Sequence, residues 1–240
     1  MTIKYVGDIH GSVKAIQEIE DGMQVGDVVV QVGDLGIGFE KHCPVIAYFQ
    51  SYRPFGPTWL TCGGNHDNWD LLKGPMYHRY FNLNWAPSIT SWGRLHWVHR
   101  GSTVVIEDIR HLFFGGARSY DKHHRTAGID WWEAEEPTYD EWNTFADGFD
   151  VRPDVVVTHD CPSFVPIETC KDQSDPMRRQ MTKLFGMTDS KKRPYLWASG
   201  HHHVNGKQYY KNSDTDITSF LSLGINESSS FNSISQMRDL

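Results

Sequence analysis

Three histidines in a row, His201, His202 and His203, follow a glycine in "ASGHHHV", well inside a chain of 240 residues. Imidazole ligates metals and carries protons near neutral pH, and three adjacent rings add little to an apolar core. If the stretch is extended, successive side chains point to opposite faces. On that basis His201 and His203 share a side as candidate ligands, and His202 is a spacer.

Four earlier stretches end in the same manner, with an apolar run, a turn, and then Asp, Asn or His. They are "YVGDIHG" (5–11), "QVGDLG" (31–36), "LTCGGNHD" (60–67) and "VVTHD" (156–160). Asp8 and His10 are two residues apart and can reach one ion. Asp34 has two carboxylate oxygens and can serve two ions. Asn65 offers a neutral carbonyl oxygen, and His159, His201 and His203 supply imidazoles. Mixed oxygen and imidazole donors favour a divalent transition metal over calcium. Two such ions roughly 3.5–4 Å apart form an arrangement that hydrolyses phosphate esters. A lone "GD" is usually a turn, but five such endings in this order are hard to explain that way.

Chemistry of this kind needs strands that deliver their loops to one edge. The Val-rich runs "DVVVQVGD" (27–34) and "DVVVTHD" (154–160) have the continuous apolar character of strands buried on both faces. "SVKAIQEIE" (12–20), with Ser12 as N-cap, and "KHCPVIAYFQSY" (41–52) are helical in pattern. The opening third therefore alternates strand and helix, as α/β folds do. "RLHWVHRG", "STVVIED" and "RHLFFGGA" read as consecutive strands of a second, more antiparallel sheet. "YDEWNTFADGF" and "DPMRRQMTKLFGM" read as helices, and "GKQYYKN" and "DITSFLSLG" as strands. Two packed sheets with helices outside accommodate all of these, with ligands collecting beyond the carboxyl ends of the strands.

The ordered set D-x-H, GD, GNHD, H and GHxH, spanning positions 8 to 203, resembles the calcineurin-like metallophosphoesterase superfamily. The resemblance implies an α/β fold, an αββα four-layer sandwich of two mixed β-sheets flanked by helices, with residues 1–240 as a single domain. It implies two divalent metal ions, manganese first and iron, zinc or nickel as alternatives. Asp8, His10 and His203 would hold one ion, Asn65, His159 and His201 the other, and Asp34 would bridge them. A hydroxide shared by the ions would attack phosphorus, and His66 would protonate the leaving oxygen. Asp67 has two readings, orienting His66 or capping the next helix, and Asp160 is left outside the ligand set.

The segment 115–137, "GGARSYDKHHRTAGIDWWEAEEP", also has two readings. It is a loop pinned by Trp131 and Trp132, or it is a substrate wall in which Arg118 or Arg125 grips a phosphate oxygen through a forked contact. The pattern GGAxSxDKxxR followed by WW and an acid is similar to some bacterial and phage metallophosphoesterase-like proteins.

Departures from the family's branches narrow the substrate. Phosphoprotein phosphatases continue as GDxVDRG and GNHE, whereas this chain has "GDLGIG" and "GNHD". Ile37 stands where purple acid phosphatases have a metal-binding tyrosine. The phosphodiesterase-like branch remains, so the expected activity is hydrolysis of small phosphodiesters, cyclic nucleotides among them, and of phosphomonoesters. A nuclease is the alternative, and a catalytically silent protein-interaction scaffold a lesser one, because every motif position is filled. The net charge of −7 disfavours long nucleic acid as a partner. The apolar runs are too short to span a bilayer, and four cysteines without a CxxC spacing suit a reducing compartment, so a cytoplasmic location is expected.

Overall fold

The computed structural model describes residues 1–39, 43–51, 55–73, 89–170 and 174–231. Its strands form two six-stranded sheets. Across the first run β12 (Ser228–Phe231), β1 (Ile3–Val6), β2 (Val28–Gln31), β3 (Thr58–Thr61), β5 (Leu95–Val98) and β4 (Ile89–Trp92). Across the second run β10 (Gly206–Lys211), β11 (Ile217–Ser222), β9 (Leu196–Ser199), β8 (Val155–Thr158), β7 (Ile109–Phe114) and β6 (Ser102–Ile106). In both sheets the central pairings are parallel and each outer pairing is antiparallel. The second sheet is therefore not the more antiparallel one, as its hairpin-like spacing suggests. Nor do the three consecutive middle strands stay together. β5 extends the first sheet beside β3, and the chain crosses over at Gly101 to build β6 and β7 into the second.

The pleat sorts each strand's residues into layers. Val28, Val30 and Val32 face the space between the sheets, where they meet Val155, Val157, Leu196 and Ala198 from the opposite sheet. Val29 and Trp59 face outward, beneath helices α1 (Val13–Glu20), α2 (Pro44–Gln50) and α3 (Trp69–Lys73). Val156 and Trp197 face the other way, beneath α4 (Tyr139–Gly148) and α5 (Pro176–Met187). The result is an αββα sandwich with three apolar layers. Ser12 caps α1 by accepting from the Ala15 N–H, and Thr138 and Glu141 form a reciprocal capping box on α4.

A polar contact crosses the central layer. Tyr5 Oη lies 2.6 Å from His111 Nε2, and His111 Nδ1 lies 3.0 Å from the Ile109 carbonyl. A carbonyl only accepts, so the ring's proton sits on Nδ1 and Nε2 accepts from the tyrosine. His42 and His78 lie outside the described residues.

Candidate metal centre

Asp8 and His10 follow β1, Asp34 follows β2, Asn65 and His66 follow β3, His159 follows β8, and His201 to His203 follow β9. All are carboxyl ends of central parallel strands, and the distances show that loops from both sheets converge. His203 Nε2 lies 3.1 Å from Asp8 Oδ2 and 3.1 Å from His10 Nε2. His10 Nε2 is 4.0 Å from Asp34 Oδ2. The other oxygen of Asp34, Oδ1, is 3.2 Å from His159 Nε2, which is 3.1 Å from Asn65 Oδ1. Asp34 thus turns one oxygen to the Asp8–His10–His203 group and the other to the His159–Asn65 group.

The backbone is bent to make this possible. His10, Asp34, His201 and His203 have φ of 49°, 56°, 68° and 57°, the left-handed region that side-chain-bearing residues rarely occupy. Such strain concentrates at functional sites, where the surroundings hold it in place. Two glycines let the loops close. A Cβ on Gly64 would run into Asp34 Oδ1, and one on Gly200 into Asp8 Oδ1.

The His run is therefore not extended, and His202 is not an idle spacer. Its Nε2 lies 2.9 Å from Asp160 Oδ1, which also accepts the Cys161 N–H and faces the Nε of the fully buried Arg178 at 3.5 Å. His202 and Asp160 anchor the loop from beneath. The His201 ring packs 5.1 Å from His159 and 5.8 Å from Tyr120, and its backbone N–H donates to Asp8 Oδ1. One of its ring nitrogens also shares a tight group with Asp160 and His202.

Asp67 takes neither expected role. Its Oδ1 accepts the Gly36 and Ile37 N–H groups at 2.8 and 2.7 Å, and its Oδ2 accepts the Gly64 N–H at 2.7 Å. It ties the loop after β2 to the loop after β3. The helix cap is Asn68, whose Oδ1 accepts from the Leu71 N–H at 3.0 Å.

The electrostatics call for positive charge. Burial alone would raise the Asp34 carboxyl, but the His159 ring beside it, with His66 and His10, holds it well below the usual carboxylate range. Burial opposes a charged His159, yet Asp34 and Asp8 push that ring up to about 10. His203 is raised by its hydrogen bond to Asp8. Burial lowers His201 to about 4. His159 Nδ1 faces the Val32 carbonyl at 2.9 Å, which fixes the ring's orientation and turns Nε2 toward Asp34. Asp8 Oδ2 is buried, and two imidazole nitrogens crowd it at 3.1 and 3.9 Å. Neighbouring ligands on one ion, with bonds of about 2.1 Å, stand roughly 3–3.5 Å apart. The donor spacing and chemistry fit a pair of divalent cations.

His66 sits at the rim. Its N–H donates to Asp34 Oδ1 at 2.6 Å, and its ring meets His10 edge-on at 4.9 Å and Phe39 at 4.8 Å. Arg125 Nη2 is 3.1 Å from His66 Nε2 and, being a donor only, makes Nε2 the acceptor. Burial lowers the pKa of His66, and the Arg125 charge adds to this. A cavity of about 220 Å³ opens beside it, lined by His10, Gly11, Gly36, Phe39, Pro44 and His66. Arg118 is half-buried, and its charge acts on Asp175.

Sequence reasoning missed two residues, Ser119 and Glu135. Ser119 Oγ lies 3.3 Å from Asn65 Nδ2, and both oxygens of the buried Glu135 hold Ser119. The signal was present in the S and the trailing acid of the GGAxSxDK…WW pattern, but nothing there tied them to Asn65. Trp132 is buried against the first sheet's helical layer, while Arg125 reaches His66.

No curated protein matches this chain. Among solved structures, phosphopantetheinyl hydrolase from Mycobacterium tuberculosis is 14% identical, with a TM-score of 0.49 over 94% of this chain and 90% of that one. A Staphylococcus aureus protein assigned as a 5′-nucleotidase, in complex with alpha-ketoglutarate, is 11% identical, with a TM-score of 0.50 over 95% of this chain and 50% of that one. A model of the calcineurin-like phosphoesterase family matches residues 1–205, which contain both sheets' central strands and every loop described above. The family uses a dinuclear divalent metal site, and the chain belongs to it as a metal-dependent phosphoester hydrolase.

Proposed function

We propose that the protein hydrolyses small phosphodiesters, cyclic nucleotides among them, and phosphomonoesters, with residues 1–240 acting as one catalytic unit. The observation that carries this reading is Asp34, one carboxylate facing two separate groups of nitrogen and oxygen donors. Asp8, His10 and His203 would hold one ion, Asn65, His159 and His201 the other, and Asp34 would serve both, with manganese the first choice for this donor set. Ions held there would supply Lewis acidity and a water-derived nucleophile for phosphorus near neutral pH.

The chain's own residues do the rest. Arg125 binds a non-bridging phosphate oxygen, which frees His66 Nε2 from the guanidinium. The incoming negative charge favours the protonated ring, and His66 then gives its Nε2 proton to the leaving oxygen. The cavity beside Phe39 and Pro44 provides room for the leaving group. Arg118 acts on the substrate's periphery. None of the four cysteines is in a disulfide, in keeping with a reducing, cytoplasmic setting, and among the described residues no helix is long and apolar enough to cross a membrane.

The test is a panel of cyclic nucleotides, mononucleotides, linear diesters and DNA, run on manganese-loaded protein. Turnover of small esters is expected, and turnover confined to DNA overturns the substrate assignment. His66→Asn is expected to lose about 10²–10⁴-fold on esters with poor leaving groups and much less on activated aryl esters. Equal losses on both would remove His66 as the proton donor.

A further inference from the structure

Asn65 differs from the other proposed ligands in that its side chain has two faces of similar shape and opposite polarity. The carbonyl oxygen ligates a cation, whereas the amide NH2 is a donor and repels one. Nothing within the amide itself decides which face meets the centre. The aspartates and histidines around it have no equivalent ambiguity once their hydrogen bonds are set.

The surroundings of Asn65 remove the ambiguity in two steps. Glu135 is completely buried, and both of its oxygens engage Ser119. Oε1 accepts the Ser119 N–H at 2.7 Å, and Oε2 accepts the Ser119 hydroxyl at 2.8 Å. Burial raises Glu135 to about 7, and in the ionised form that prevails above this the carboxylate only accepts, so the hydroxyl hydrogen of Ser119 must point at Glu135. Ser119 Oγ is then left with lone pairs alone to offer Asn65, 3.3 Å away, and only the Nδ2 face can use them. The carbonyl oxygen is thereby turned to His159 Nε2 at 3.1 Å. Burying a carboxylate to hold one serine is costly unless that orientation is needed.

We infer that Ser119 and Glu135 are positioning residues, a polarity lock that holds the Asn65 amide with its oxygen toward the metal centre. The inference rests on the proposed role of Asn65 as a ligand. It also assigns a purpose to the segment 115–137 beyond shielding the site, because both members of the lock lie at its two ends.

Glu135→Gln tests the lock without changing its shape. The glutamine oxygen still accepts the Ser119 N–H, so its NH2 must face Ser119 Oγ. The hydroxyl hydrogen is then released and can donate to Asn65, favouring the flipped amide with NH2 toward the centre. Calorimetric titration of metal-free protein with manganese at pH 8 reads the outcome. Wild type is expected to bind two ions. Glu135→Gln is expected to weaken one of them by roughly 10–100-fold and leave the other unchanged. Asn65→Asp offers an oxygen on both faces, so the pair Asn65→Asp/Glu135→Gln should bind metal as Asn65→Asp alone does.

Unchanged affinity for both ions in Glu135→Gln, with melting temperature lowered or not, overturns the lock. So does an equal loss in the Asn65→Asp background. If Asn65→Ala binds both ions as wild type does, the ligand assignment of Asn65 fails instead, and the two failures are distinct. Should Glu135→Gln not fold, Ser119→Ala, which removes the hydroxyl intermediary and leaves the amide free to turn, gives the same reading.

Discussion

Asp34 has to satisfy two neighbourhoods with one side chain. Its Oδ2 faces His10 at 4.0 Å, its Oδ1 faces His159 at 3.2 Å, and the His66 N–H also binds Oδ1 at 2.6 Å. Asparagine at this position removes the charge and can present an oxygen to only one side. Asp34→Asn is therefore expected to bring metal content from two ions per chain toward none. Asp8→Asn, which serves one group, should leave one ion, and elemental analysis after dialysis separates these results. Retention of two ions by Asp34→Asn would show that it does not join the groups. At this scale the types and order of the donors were readable in the sequence, because oxygen and imidazole at strand ends have few other uses. The reasons for their placement were not. Alternation of adjacent side chains predicts a spacer at His202, whereas left-handed turns at His201 and His203 send it down to Asp160. Sequence proximity puts Asp67 beside His66 or at a helix start, whereas its three backbone donors belong to loops about thirty residues apart in sequence.

At the scale of elements, the strands and helices with a clear apolar period were legible, and sheet membership was not. The alternation in "VVV" fixes which faces are buried, but it carries no information on which neighbour pairs with the strand. β5 and β6 are separated by a tight turn, as a hairpin would be, yet they enter different sheets. Arg100 sits at that crossing. Its Nε donates to the Gly115 carbonyl at 2.8 Å, and Nη2 donates to the Ala134 and Glu135 carbonyls at 2.9 and 2.7 Å. Nη1 pairs with Glu141 at 3.0 Å, and the guanidinium lies 3.9 Å from the Trp69 ring centre. One side chain thus clips both ends of the 115–137 segment to α3 and α4. A lysine ammonium at the same place has one nitrogen and cannot reach carbonyls on opposite sides. Arg100→Lys is expected to cost about 3–5 kcal/mol in urea unfolding, since buried partners are left unsatisfied. It should also expose 115–137 to limited proteolysis before the rest of the chain is cut. A loss under about 1 kcal/mol would mean that the segment is held by its tryptophans instead.

For the molecule as a whole, the two sheets meet through an apolar layer that contains one neutral imidazole. Burial lowers His111 to about 4, and the Tyr5 hydroxyl, itself raised by burial, donates to it across the interface. The unfolded chain protonates this histidine from about pH 6.5 downward, while the folded one resists until about pH 4. In that window the unfolded state binds more protons, so His111 withdraws stability as pH falls, by about 3 kcal/mol in all, and the effect levels off below pH 4. His96, also lowered to about 4 by burial, acts in the same direction. Asp67 and Glu135, raised to about 6 and about 7, act oppositely, because the folded state then binds more protons than the unfolded one. The overall acid profile is a mixture of these, and only a difference isolates the interface. Tyr5→Phe/His111→Phe keeps two aromatic rings in the layer and removes the titrating one. It forfeits the hydrogen bond at every pH, a constant offset, so the informative quantity is how its deficit relative to wild type changes. Between pH 7.5 and pH 4 the double variant should gain about 3 kcal/mol on wild type in chemical unfolding of the metal-free protein. A deficit that stays constant across that range would mean that His111 protonates in place and that the layer between the sheets admits water.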